Sequence, residues 1–231
     1  GCAGLLKNAP TQRHRDKLMA GFSKALEGQA LLRLPEELLE QLRDLDNPPL
    51  VLRVRLGDSA ALGQALSVIA DTAKPAKDRV ELIRATSDTG AEGLQQSLLS
   101  LVQHESNASV LSAGLLALQR FTDDSLGQSV VKRYASFPKA AKPAAISFLA
   151  SRPAWSRRLL AAVESGRLAK RDVPLPTVEV LLGHGVEVAA QASQLWPSAG
   201  RASTGQAAEV ARVREVVEGR PGSPYRGREM F

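Results

Sequence analysis

Cysteine is almost missing from this sequence. Cys2 is the single thiol, which excludes an internal disulfide framework and any cluster of thiolate metal ligands. What Cys2 itself does is not legible in the sequence. Aromatic residues are scarce at 4%, so a core has to be assembled from Leu, Ala and Val. No apolar run exceeds about five residues, Leu159 to Val163 being one, whereas a membrane-spanning helix needs roughly twenty. No basic segment followed by an apolar one opens the chain, so no signal peptide is read. The first residue is Gly1 rather than Met, and a piece of a longer protein is expected. No segment alternates apolar and polar residues with a period of two, which argues against half-buried strands. The glycines are scattered with no strand ahead of them, so no phosphate-cradling loop is read, and no Gly-x-Ser-x-Gly elbow occurs. His14, His104 and His184 lie far apart in the chain, so turn or surface positions are expected rather than a metal site.

What is present is ordinary in amount and informative in pattern. With 231 residues, 44% hydrophobic and 23% charged, the chain can build one large domain or two small ones. Apolar residues recur at helical spacing throughout. Leu38, Leu39, Leu42 and Leu45 follow Pro35, Glu36 and Glu37, which suit a helix N-terminus. Asp58 or Ser59 reads as an N-cap ahead of a face made by Leu62, Leu66 and Ile69. Further helices are expected over 77–86, 92–103, 107–121 and 125–134, separated by short turns such as Asp88–Thr89–Gly90 and Thr122–Asp123–Asp124. Val51 to Val54, after Pro48 and Pro49, is a loop or a helix start. Short connections make neighbouring helices antiparallel.

The helices also repeat. Ile83, Leu94, Leu98 and Leu99 recur about 32 residues later as Leu115, Leu126, Val130 and Val131. Val130–Val131 recurs again as Leu159–Leu160. A degenerate two-helix unit of roughly 30 residues is the mark of an α-solenoid, in which each hairpin completes its core by stacking on the next. The expected fold is therefore all-α, a HEAT-like solenoid of stacked antiparallel helix pairs over 75–197, with an irregular helical part over 1–74. An irregular helical bundle is the rival.

The net charge is +6 and the pI about 9.8. The densest basic stretch holds Lys139, Lys142, Arg152, Arg157, Arg158, Arg167, Lys170 and Arg171 against one acid, Glu164. It is either a solvated outer face or an anion-binding or partner surface, the latter built from Arg152, Arg157, Arg158, Arg167, Lys170 and Arg171. The adjacent acids Glu36–Glu37 and Asp123–Asp124 point about 100° apart on a helix and suit capping better than proton sharing. No catalytic group is read.

The last third adds a resemblance. Pro153 starts a helix, Leu159, Leu160 and Val163 form its buried face, and Gly166 ends it. With Trp155, Val178, Leu181, Leu182, His184, Leu195 and Trp196, these residues fill an ordered pattern. It is Arg-Pro-x-Trp-x-x-x-Leu-Leu-x-x-Val-x-x-Gly, then Val-x-x-Leu-Leu-x-His, then a helix ending in Leu-Trp. That order resembles the helical repeat region of the large membrane-bound dehydrogenase-like proteins of Planctomycetes and Verrucomicrobia. The likeness is good over about 140–231 and loose before. It implies an exported or periplasmic parent in which a propeller resembling sugar dehydrogenases precedes HEAT-like repeats and a c-type cytochrome follows. This chain would then be a non-catalytic, non-enzymatic scaffold linking the two, with neighbouring domains or a protein as its partners. Haem would belong to the missing C-terminal domain, with no cofactor held here.

Two other readings stay open: a nucleic-acid-binding solenoid of DNA-glycosylase type, and a free-standing protein-binding HEAT adaptor. The first is disfavoured, because only Phe148 and Trp155 interleave aromatics with the basic stretch. A terminal helix is expected over 198–218. A linker is expected from 219, where Gly219, Pro221, Gly222 and Pro224 disfavour a helix. Gly227 to Phe231 resembles the Gly-x-x-x-Phe that opens such a cytochrome, so 219–231 is expected to be a linker and the start of a truncated cytochrome, a stub too short to offset its ordering entropy.

Overall fold

The computed structural model describes residues 4–5, 8–11, 13–14, 17–19, 21, 48–89, 93–199 and 212–215. Among these every regular element is helical and no helix is long and apolar enough to cross a membrane. The expected helix around Leu38 to Leu45, with Glu36 and Glu37, lies outside the described residues, as does nearly all of the expected 198–218 helix and the 219–231 tail. Residues 212–215 are helical.

The chain divides into two compact units, Gly1–Phe148 and Leu149–Phe231. The repeat array expected over 75–197 is thus shared between them. In the first unit, α1 (Leu50–Arg55), α2 (Ser59–Ala70), α3 (Ala76–Thr89), α4 (Leu94–His104), α5 (Ala108–Leu118) and α6 (Ser125–Arg133) follow one another through short turns. The division falls within α7 (Lys142–Ala150). The second unit holds α8 (Pro153–Glu164), α9 (Leu175–Leu182) and α10 (Val186–Leu195).

Local chemistry explains the starts and stops. Asp58 caps α2: its Oδ1 accepts from the backbone N–H groups of Ala60 (2.9 Å) and Ala61 (3.0 Å). Its other oxygen takes the Arg53 Nε–H at 2.9 Å. The Ala61 N–H first and the Arg53 guanidinium next hold this carboxyl below its ordinary range. Asn107 caps α5 in the same way, through Ser109 N (3.1 Å) and Val110 N (3.2 Å). Pro153 occupies the first turn of α8, and Gly166 leaves that helix with φ 72°, a left-handed geometry that favours glycine. Val51 to Val54 is helical, within α1.

The buried stripe of α2 differs from the sequence expectation. Ala61, Ala65 and Ile69 are buried, while Leu62 and Leu66 are only half-buried. α2 packs against three helices, α1, α3 and α4, and the face that this packing buries is the one carrying Ala61, Ala65 and Ile69. α3 also runs on through Thr89, past the expected turn at Asp88.

Packing in the first unit follows a regular order. α1 meets α3, α3 meets α5, α2 meets α4, and α4 meets α6, while α1–α2, α2–α3 and α4–α5 pair as neighbours in sequence. The α4–α5 approach is close: a Cβ added at Gly114 would sit 2.8 Å from a Leu101 methyl. In the second unit α10 packs on both α8 and α9. Trp155, Leu159 and Leu160 are each 0% exposed there.

One polar junction binds five of these helices. Arg79 on α3 and Glu105 at the end of α4 form a buried ion pair, their side chains 4% exposed each. Arg79 Nε also donates to the Ile69 carbonyl on α2 (2.9 Å). Glu105 Oε1 accepts from the N–H groups of Ser106 (2.9 Å) and Asn107 (2.7 Å), which opens the turn into α5. Arg133 on α6 donates to the carbonyls of Val102 (2.8 Å) and Glu105 (3.3 Å). Burial pushes the Glu105 carboxyl up, but the Asn107 N–H and then the Arg79 guanidinium outweigh it and hold the pKa below the ordinary glutamate value.

Glu105→Ala should destabilise the chain by about 3–5 kcal/mol, since it strands a buried guanidinium, and Arg79→Met with Glu105→Leu should recover most of that in denaturant titration. Because the folded carboxyl titrates lower than the unfolded one, its contribution is complete above the ordinary glutamate pKa and is lost as pH falls through the folded value. Glu105→Gln should flatten that acid limb; an unchanged acid limb would remove Glu105 from the account. Leu159→Ala or Leu160→Ala should each cost about 2–5 kcal/mol, and a cost near zero for both would contradict their burial.

Candidate functional site

The basic stretch is divided between the two units. Lys139 and Lys142 belong to the first unit, where the Lys142 ammonium lies 5.0 Å from the Tyr134 ring centre. The six candidate residues belong to the second. Arg152, just ahead of α8, lies over the buried Trp155 ring at 5.3 Å. Arg157 and Arg158 are consecutive on α8 and leave it in directions about 100° apart. Arg157 reaches Glu187 on α10 at 3.5 Å, with both side chains largely exposed. Such a pair is worth about 0–1 kcal/mol. Lys170 lies 5.8 Å from the Trp196 ring centre. Arg158, Arg167 and Arg171 are exposed. Three of the six are thus engaged within the unit, with an acid or an indole. Trp155 and Phe148 are both 0% exposed, so neither ring is open to a base.

The histidines have local duties. His184 donates from Nε2 to the Ala150 carbonyl at 2.6 Å, and His104 donates from Nδ1 to Ser100 O at 2.9 Å. His14 Nδ1 lies 2.7 Å from the Thr11 hydroxyl. Glu187 stands three residues after His184, but Gly185 turns the chain between them and Glu187 meets Arg157 instead. Among the described residues no group of three or more His, Cys, Asp or Glu gathers in metal-binding reach. Asp123, like Asp58 and Glu105, is held below its ordinary range, by the Ser125 hydroxyl first and the Ser125 N–H next. It also accepts from Gln95 Nε2 at 3.0 Å, tying α4 to the start of α6. Covalent attachment of c-type haem takes two thiols and the sequence has one, so these residues do not fit that group.

Two surface features were not read from the sequence. A groove of about 310 Å³ between α2 and α4 borders the Arg79–Glu105 pair and reaches His104. A larger one, about 490 Å³, runs over α1, α3 and α5. Arg55, Arg84 and Arg120 line it with Asp88, around Val80 and Leu116. Arg84 and Asp88, one turn apart on α3, were its only local signal. Leu116 is 51% exposed although Leu115 and Leu118 beside it are fully buried.

No family model, curated protein or solved structure matches the chain.

Reversing Arg157 and Arg158 to Glu should lower retention on duplex DNA modestly, as for any loss of surface charge. Wild-type binding should be weaker than about 10 μM at roughly 150 mM salt in a titration across salt concentrations. Submicromolar binding abolished by the double reversal would make this face a nucleic-acid surface.

Proposed function

We propose that the chain is a non-catalytic helical-repeat scaffold, a HEAT-like α-solenoid that holds its neighbours in place rather than transforming a substrate. The supporting observation is the coincidence of sequence spacing with packing. The 32-residue step carries Ile83 on α3 to Leu115 on α5, and Leu94 and Leu98 on α4 to Leu126 and Val130 on α6. These six side chains are buried, the fourth pair of the step, Leu99 and Val131, is half-buried, and α3–α5 and α4–α6 are helices in contact. The contacts α1–α3–α5 and α2–α4–α6 support a reading in two rows, with α1–α2, α2–α3 and α4–α5 as the closely packed neighbours in sequence. The carboxyls with perturbed acidity serve caps and ion pairs, which supports structural rather than proton-transfer roles.

The resemblance of residues 151–196 names the neighbours. In this proposal the chain separates a dehydrogenase-like propeller from a c-type cytochrome in an exported protein. Haem and catalytic groups lie in those domains, and a haem stain of the full-length protein tests that parentage.

The repeat reading is tested by native-state hydrogen exchange on Leu98→Ala. Protection should fall in α4 and in its contacts α2, α5 and α6, while α8–α10 keep theirs. A uniform loss through all the helices would mean one cooperative bundle and would overturn the repeat reading.

A further inference from the structure

The groove over α1, α3 and α5 has a composition that a spacer does not require. Its floor is aliphatic: Val80 and Ile83 from α3, Ala113 and Leu116 from α5. α5 already buries Val110, Leu111, Leu115 and Leu118, so Leu116 is an additional apolar side chain turned to the outside. Around this floor stand the exposed arginines Arg84 and Arg120 and a single acid, Asp88, while Arg55 lines it from a buried position. Asp88 meets Arg120 at 3.7 Å, where the Arg120 side chain is 53% exposed. That loose contact is worth little and exchanges readily for a better carboxylate. Arg84 is exposed. The accessible rim therefore carries two arginines, Arg84 and Arg120, against one acid about an apolar strip.

The hydroxyls in the groove have a definite polarity. Ser87 Oγ donates to Ile83 O (2.6 Å) and Ser112 Oγ to Ala108 O (2.7 Å). Their protons are spent inside their own helices, so toward an incoming group they act as acceptors, suited to amide N–H. An occupant matched to this surface has an aliphatic side chain for the floor, carboxylates for Arg84 and Arg120, and N–H donors for the serines. A bare anion satisfies one of these three demands, and a nucleic-acid strand supplies no aliphatic side chain.

We propose that this groove docks a peptide segment of a partner protein in which aliphatic residues are flanked by Asp or Glu. The groove lies wholly within Gly1–Phe148 and stands apart from the question of repeat stacking.

The test is fluorescence anisotropy on the full chain with a labelled peptide of about twelve residues carrying two leucines between glutamates, the usual scale of a groove-bound motif. Binding is expected at a Kd on the order of 10–100 μM. Arg84→Glu with Arg120→Glu should weaken it at least tenfold and should favour a probe whose glutamates are replaced by lysines. Amide shifts on binding should centre on Val80, Arg84, Leu116 and Arg120. Both arginines are exposed, and an unchanged melting profile confirms that the variant folds. Equal binding of a probe with alanines for leucines would overturn the proposal in favour of simple charge attraction. So would an unaffected double variant, or no binding up to about 1 mM.

Discussion

The ion pair between Arg79 and Glu105 is the polar constraint around which the helix ends of the first unit are arranged, because once both charges are buried neither can be left alone. Two charged side chains are taken almost wholly out of water, and the cost of doing so is offset because every one of their partners is useful. Arg79 holds α3 to the end of α2, and Glu105 closes α4 and opens α5. Arg133 then fastens α6 to the carbonyls at the same corner. Hydrophobic burial drives these helices together without direction, whereas this network specifies which ends meet.

The remaining polar chemistry divides between shaping the chain and facing outward. Asp58, Asn107 and Asp123 hold helix starts through backbone N–H groups, and that duty explains the lowered acidity range of the two aspartates. The basic residues past 150 are spread over separate contacts with Trp155, Glu187 and Trp196. Where arginines do gather round an apolar strip, they come from α1, α3 and the end of α5.

In the scaffold proposal these packing contacts set how far apart the helices lie. Between α4 and α5 the approach is close at Gly114, where an added Cβ would come within 2.8 Å of a Leu101 methyl. The groove over α1, α3 and α5 collects side chains from three different elements, which a single helix cannot do.

By itself the sequence determined the all-helical class, because apolar residues recur at 3.6-residue intervals and caps such as Asp58, Asn107 and Pro153 mark the starts. It also determined most of the inward face of α8, where Leu159, Leu160 and Val163 recur at helical spacing, with Ser156 buried beside them through a bond to the Leu149 carbonyl. Tertiary structure decided the face of α2, where packing against three neighbours buries Ala61 and Ala65 and leaves Leu62 and Leu66 half-buried. It alone decided that Arg79 would find Glu105, 26 residues away, because nothing local distinguishes a buried arginine from an exposed one. The groove at Leu116 has the same origin. Nothing local in the sequence marks its arginines, which line one groove only because α3 packs on both α1 and α5.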